Sequence, residues 1–271
     1  GIISVRVLLV GGAGYIGRRL SEHLEGWGHV VTIYDILWGG DVRDQQYLKA
    51  CSNKDAVIYL AGLTNNDMCL RTPHLARKHN IVQQVEVERF IYASSVAAYG
   101  STEGEATEET PLNPTTDYGQ YKKEGEESLK GATIVRSASV CGYSPRMRYD
   151  LMVNRMSRDA TKGVITVNGG SQIRSHIHIE DLCYFYGLLL ASSVDAVKGQ
   201  VFNVVGENIS VMDTADRISN VINRVHLDVK PFTDNRSYAV SGEKVKRLFH
   251  FTPKKTIEDA AYQIYLNSLY D

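Results

Sequence analysis

The feature that most constrains this 271-residue chain lies at its start, where a continuous apolar run from Val5 to Val10 meets the glycine-rich stretch Gly11 to Gly17. A run without polar alternation suits a parallel strand covered on both faces better than a surface strand. Beyond it, Ile16, Leu20 and Leu24 recur at helical spacing between Tyr15 and Trp27, Gly28 breaks the pattern, and Val30 to Tyr34 reads as a second, β-branched strand. Together these segments predict one βαβ unit with a glycine turn after its first strand. Each glycine then has a steric reason: Gly11 for the tight turn, Gly14 for close approach of backbone to a pyrophosphate, Gly17 for close packing of helix and strand. The helix start at Tyr15 and Ile16 would turn free N–H groups and a positive dipole end towards the phosphates.

Glycine also collects in turns for conformational reasons alone, so the triplet needs support. Asp35 supplies it, at the end of the second strand, where a carboxylate can accept hydrogen bonds from both hydroxyls of an adenosine ribose. The same charge repels a 2′-phosphate, so NAD is favoured over NADP. The competing reading is that Asp35 only caps a turn. Asp41 and Val42 are placed to sit near the adenine, although Asp41 to Asp44 also reads as a charged turn.

Further strand-like runs follow at Ala56 to Leu60, Phe90 to Ser94, Ala132 to Val135 and Val201 to Val205, separated by helix-compatible stretches such as Tyr118 to Leu129. Strands alternating with helices predict an α/β protein with a doubly wound parallel sheet. A change of texture after Arg136, with Pro145 and the basic pair Arg146 and Arg148, puts a soft boundary near residue 143. The expected domains are 1–143 for the dinucleotide and 144–271, a smaller α/β domain, for the substrate, with about 176–205 returning to the first. Gly104 to Pro114, acidic and with two prolines, reads as an exposed loop leading to a helix near Asp117. The crossover between Leu60 and Phe90 is short for a helix that must cover a sheet: either the helix is trimmed, or residues are missing around Gln84 and Val85.

Charge excludes some partners. Thirty Lys and Arg against 31 Asp and Glu leave no overall field for nucleic acid or anionic lipid. No apolar run approaches the roughly 20 residues of a membrane span, and no basic-then-apolar leader precedes the first strand. Cys51, Cys69, Cys141 and Cys183 lie far apart without metal-ligand spacing, so they read as reduced packing residues. A soluble cytoplasmic protein without a metal is the expectation.

The reactive chemistry is sought in Tyr118 and Lys122, four residues apart and so on one face of the predicted helix. A free phenol has a pKa of about 10, and a neighbouring ammonium together with an oxidised nicotinamide stabilises the phenolate. Sixteen tyrosines make one such spacing expected by chance. Ser95 strengthens it, because it follows the strand from Phe90 to Ser94, and ligands of such sheets bind at the carboxyl ends of the strands. Its plainer role is a strand-end cap.

With these residues in view, the chain resembles the extended short-chain dehydrogenase/reductase family, and within it the nucleotide-sugar epimerases and dehydratases typified by UDP-galactose 4-epimerase. The resemblance runs nearly end to end. It rests on GGAGYIG at 11–17, Asp35, GDVRD at 40–44, YLAG at 59–62, YASSVAAYG at 92–100, PLNPTTDYGQYK at 111–122, GGSQIRSHIHIED at 169–181 and VFNVVG at 201–206. It implies a Rossmann-type fold, a catalytic triad of Ser95, Tyr118 and Lys122, with Lys122 also holding the nicotinamide ribose, and NAD contacts that include Leu60, Ala61 and Gly62. It further implies that Asn154 and Arg174, and more weakly Arg236, grip the diphosphate of a nucleotide sugar. Surface solvation or ion pairing is the alternative for Arg174, and the favoured one for Arg146, Arg148 and Arg236. His176 and His178 alternate on a predicted strand and, lacking a third ligand, read as structural.

The shared first step implied by the family is removal of a sugar hydroxyl proton by Tyr118 while hydride passes to NAD, leaving a 4-keto sugar. Related 4,6-dehydratases carry an acidic residue just after the Ser or Thr of this motif. Here that stretch is Val96, Ala97 and Ala98, which cannot move protons, so a 4-epimerase is favoured. A ketosugar reductase or dehydrogenase, and a non-catalytic NAD-binding regulator, are the alternatives. The family usually has Asn where this chain has Ser139, so sugar recognition is expected to differ. Relatives often form homodimers, and a homodimer is expected here.

Overall fold

The computed structural model describes residues 3–62, 82–222, 225–234 and 236–270. The first unit is the predicted one: strand β1 (Arg6–Val10), helix α1 (Tyr15–Gly26) and strand β2 (Val30–Tyr34), with β2 parallel to β1. After a short helix α2 (Gln45–Cys51), strands β3 (Ala56–Tyr59) and β4 (Arg89–Ser95) add on the other side of β1. A two-residue strand β5 (Glu105–Ala106) and helix α3 (Asp117–Glu127) precede β6 (Thr133–Ser137), which pairs with β4. The main sheet is completed by a strand from much later in the chain. Its order β10-β6-β4-β3-β1-β2 includes Val201–Val204 (β10), and every pairing is parallel.

Burial on both faces explains the unbroken apolar runs. Val7 and Leu9 of β1, Ala56 and Ile58 of β3 and Ile91 of β4 pack on one side with Leu20 and Leu24 of α1. Leu8, Val10, Val57, Tyr59, Phe90 and Tyr92 face the other side, with Tyr47 and Cys51 of α2. The chain leaves β1 for β2 in one direction and for β3 in the other. That reversal opens a crevice at the carboxyl ends of the strands, which is where Gly11 begins.

Between β6 and β10 the chain builds a second group of elements. These are β7 (Ser139–Cys141), α4 (Met152–Ala160), β8 (Val164–Asn168), β9 (Ile173–His178), α5 (Ile179–Ala191) and the single turn α6 (Val194–Val197). Beyond β10 come β11 (Glu207–Ser210), α7 (Val211–Ile222), β12 (His226–Lys230), β13 (Ala239–Val240), α8 (Glu243–Phe249) and α9 (Ile257–Ser268). β11, β9 and β7 form a three-stranded sheet, and β12 pairs with β8. Val153 and Met156 of α4, Ile165 and Val167 of β8, Ala215 and Ile218 of α7, and Ala260 and Ala261 of α9 make a separate apolar core. Arg19 of α1 binds the Glu180 carboxylate of α5 at 2.8 Å, tying α5 to the first unit.

The stretch Gly104 to Pro114 is mostly exposed, but Ala106 is buried and β5 pairs with β13, so it is not purely a loop. Most of the short crossover, residues 63–81, lies outside the described residues, as does Cys69. The part that is described, 82–88, has no regular secondary structure, and Gln84 is fastened to Lys130 by two hydrogen bonds of 2.8 and 3.0 Å. Cys51, Cys141 and Cys183 are buried and unbridged. Among the described residues no helix is long and apolar enough to cross a membrane, and no group of three His, Cys, Asp or Glu could hold a metal.

Candidate active site

One cleft of about 1000 Å³ runs across the carboxyl edge of the main sheet and along the second group of elements. At one end its wall is backbone. Gly11 has φ +81°, and a Cβ there would lie 2.8 Å from the Ala61 nitrogen, so the turn after β1 can pass the end of β3 only as glycine. At Gly17 a Cβ would fall 2.4 Å from Gly12 Cα. The nearest neighbours of this third glycine are therefore atoms of the preceding loop, where the sequence predicts the strand. Gly14, the residue that caps α1, makes no side-chain cap, and Gly14, Tyr15, Ile16 and Gly17 all line the cleft. The first-turn N–H groups of a helix lack intrahelical partners, and here no side chain caps them.

Asp35 is 7 % exposed and lines the same end. Its carboxylate accepts from Ala13 N at 2.9 Å and from Leu37 N at 2.8 Å. The turn-capping role is thus present, and it also holds the carboxylate rigidly between the glycine loop and the short 3₁₀ turn Ile36–Trp38. Asp41, Val42, Leu60, Ala61 and Gly62 line the cleft beside it. Asp41 is paired with Arg43, as the charged-turn reading allowed.

Ser95, Tyr118 and Lys122 line the same cleft. Thr116 caps α3 by accepting from Gly119 N at 3.1 Å, which starts the helix so that Tyr118 and Lys122 fall on one face. Lys122 is 5 % exposed; its Nζ donates to the Ala93 carbonyl at 3.0 Å and lies 5.7 Å from the centre of the Tyr118 ring. Ser95 ends β4, where its Oγ accepts from Ala97 N at 3.1 Å. One turn beyond Lys122, Glu126 forms a buried pair with Arg136 at 2.8 Å, and Arg136 reaches the Tyr99 hydroxyl at 2.9 Å. Burial pushes the Glu126 carboxyl above its ordinary value despite that partner. Of the residues after Ser95, Val96 and Ala97 line the cleft, while Ala98 is fully buried.

The far end is made of side chains from distant segments. Arg174 of β9 lines it, with its guanidinium 4.7 Å from the Tyr238 ring centre and donating to the carbonyls of Ile173 and Arg236 at 2.8 and 2.6 Å. Burial moves the Arg174 pKa below its usual value. Arg236 also lines the cleft, paired with Asp234 at 2.6 Å. Arg146 and Arg148, read from sequence mainly as surface groups, line it too, as do Ser139 and His176. Asn154 does not. It is 0 % exposed, accepts from Gly142 N at 3.0 Å and donates to the Tyr15 hydroxyl and the Arg148 carbonyl, both at 3.1 Å. Its amide is spent on joining α4 to α1 and to the loop after β7, so the expected substrate contact from Asn154 is corrected to a scaffolding one. His178 caps α5 by accepting from Glu180 N at 3.1 Å, a structural role as expected. Sequence reasoning missed Tyr186 and Tyr238, which lie in no recognisable motif, and underrated Arg146 and Arg148.

The doubly wound sheet, the glycine loop at its reversal and the cleft along its carboxyl edge define a Rossmann-type α/β protein. Within that class the chain belongs to the NAD dependent epimerase/dehydratase family, whose family model matches residues 7–205. It is 26 % identical to an uncharacterized UDP-glucose epimerase, YtcB, of Bacillus subtilis, over 98 % of this chain and 99 % of that protein. It is 22 % identical to a UDP-glucose 4-epimerase of Lactobacillus helveticus over 92 % of each chain. Among solved structures, the Thermus thermophilus UDP-glucose 4-epimerase in complex with NAD superposes with a TM-score of 0.81 at 22 % identity, over 96 % of this chain and 97 % of that one.

Proposed function

We propose that this protein is an NAD-dependent nucleotide-sugar 4-epimerase that works through a transient 4-keto sugar. The observation that carries the reading is the presence of Ser95, Tyr118 and Lys122 in one cleft with the glycine loop and Asp35, while the stretch after Ser95 contributes only Val96 and Ala97 to that cleft. The residues fit NAD. The uncapped start of α1 could offer its N–H groups to a diphosphate, and the Asp35 carboxylate, fixed at the end of β2 by Ala13 N and Leu37 N, could accept from ribose hydroxyls. Bound there, NAD would accept a hydride from the sugar and return it.

Tyr118 takes the proton of the sugar hydroxyl at the oxidised carbon and later gives it back. Lys122, held by the Ala93 carbonyl, supplies the positive charge that favours the phenolate. Ser95 offers a hydroxyl to the reacting oxygen. Arg174, with Arg146, Arg148 and Arg236 along the same wall, anchors the diphosphate, so the sugar can turn while its tether stays fixed. Neither Val96 nor Ala97 can move a proton to or from a neighbouring carbon, which disfavours elimination of water. UDP-glucose 4-epimerases are among the relatives of the chain, which supports this choice.

Incubation with UDP-, dTDP- and GDP-sugars, followed by proton NMR, is expected to show inversion at the sugar C4 with no net use of added cofactor. Stoichiometric consumption of NADH would overturn the epimerase reading in favour of a ketosugar reductase.

A further inference from the structure

His176 stands out in the cleft wall. It is 2 % exposed, and neither ring nitrogen has a hydrogen-bond partner among the described residues. A neutral imidazole carries one N–H and one lone pair, and leaving either buried without a partner costs the full desolvation of that group. Buried polar side chains are overwhelmingly paired, so one left open beside a binding cleft calls for a partner that arrives with the ligand.

Its position says which part of a ligand that is. On β9, His176 lies two residues from Arg174 on the same face, about 7 Å along the strand. Across the sheet it is in register with Ser139 of β7. Two residues before Ser139, Ser137 ends β6 in register with Ser95 of β4. A polar row therefore runs from Ser95 through Ser137 and Ser139 to His176 and Arg174, all lining the cleft. His176 stands between the reactive end and the arginine that would hold a diphosphate.

Charge narrows the choice further. Burial, with Arg174 and Arg217 nearby, holds the imidazole neutral, its pKa pushed down to about 4. A phosphate oxygen can only accept and would favour a cation, whereas a hydroxyl or amide can meet either tautomer of a neutral ring. We propose that His176 is a specificity residue that hydrogen-bonds a hydroxyl or acylamino group on the sugar of the nucleotide-sugar substrate. The proposal rests on the reading of the cleft as a nucleotide-sugar site.

The test is isothermal titration of the NAD-loaded protein with UDP-glucose, UDP-N-acetylglucosamine and UDP alone, for the wild type, His176→Phe and His176→Gln. His176→Phe should weaken the better-bound UDP-sugar about tenfold while UDP changes less than twofold. His176→Gln, which keeps a donor and an acceptor, should recover most of the loss. A thermal melt guards against misfolding: His176→Phe, which removes two unpaired polar atoms from the interior, should melt no lower than the wild type. Unchanged sugar affinity, equal losses for UDP and UDP-sugar, or failure of the wild type to bind either sugar more tightly than UDP would overturn the proposal. Failure of the epimerase reading is seen separately, as UDP-sugar binding without inversion at C4.

Discussion

The two ends of the cleft are built on different principles. At the glycine-loop end, residues 10–42 contribute a turn, a helix start with uncapped N–H groups and two carboxylates, Asp35 and Asp41, all close together in sequence. At the arginine end, the wall comes from side chains spread over residues 137–238, and Arg174 reaches its place by donating to a carbonyl 62 residues away. The first end depends on what cannot be present, a Cβ at Gly11 or Gly17. The second depends on what is present and how it is held. The contrast teaches that one end tolerates almost no change in shape, while the other can be retuned one side chain at a time.

Three substitutions sharpen or break this contrast. In the triad, Tyr118→Phe removes only an oxygen, and turnover should fall by about 10²–10⁴-fold while NAD binding, followed by protein fluorescence, is retained. Loss of NAD binding alongside activity would mean that the triad and the glycine-loop end are not separable. At the backbone end, Gly17→Ala places a methyl 2.4 Å from Gly12 Cα. Urea unfolding should show a loss of about 1–3 kcal/mol, as overpacking does. An unchanged midpoint would show that the loop yields more readily than its geometry implies. At the side-chain end, Arg174→Lys gives up a guanidinium 4.7 Å from the Tyr238 ring centre and should raise KM several-fold, with kcat kept and a loss of stability of roughly 0.5–1 kcal/mol. A large fall in kcat instead would tie the arginine to the chemical step.

Much of the first end is legible in the sequence. The strand Val30 to Tyr34 has the expected bounds, and the helix expected from Tyr15 to Trp27 ends one residue early, at Gly26. Both follow from short-range rules, since an apolar run of β-branched residues and an apolar stripe ending at glycine leave the chain few alternatives. The shared face of Tyr118 and Lys122 follows in the same way from helical geometry. The far wall was harder to see. Asn154 matched a substrate-binding position by resemblance, yet its amide is consumed by Tyr15 and Gly142, partners 139 and 12 residues away. Arg146 and Arg148 carry nothing in their spacing that separates a cleft lining from a solvated surface.

From the residues alone one can obtain the βαβ unit, the glycine turn, the carboxylate after the second strand and the Tyr–Lys face, because each is set by sterics or periodicity over a few neighbours. Only the tertiary structure decides which arginines line the cleft, why Asn154 is withdrawn from it, and that His176 is buried there with both nitrogens open. Those outcomes depend on strands and loops more than a hundred residues apart arriving side by side, and the hydrogen-bond partners that settle a side chain's role exist only once they have done so.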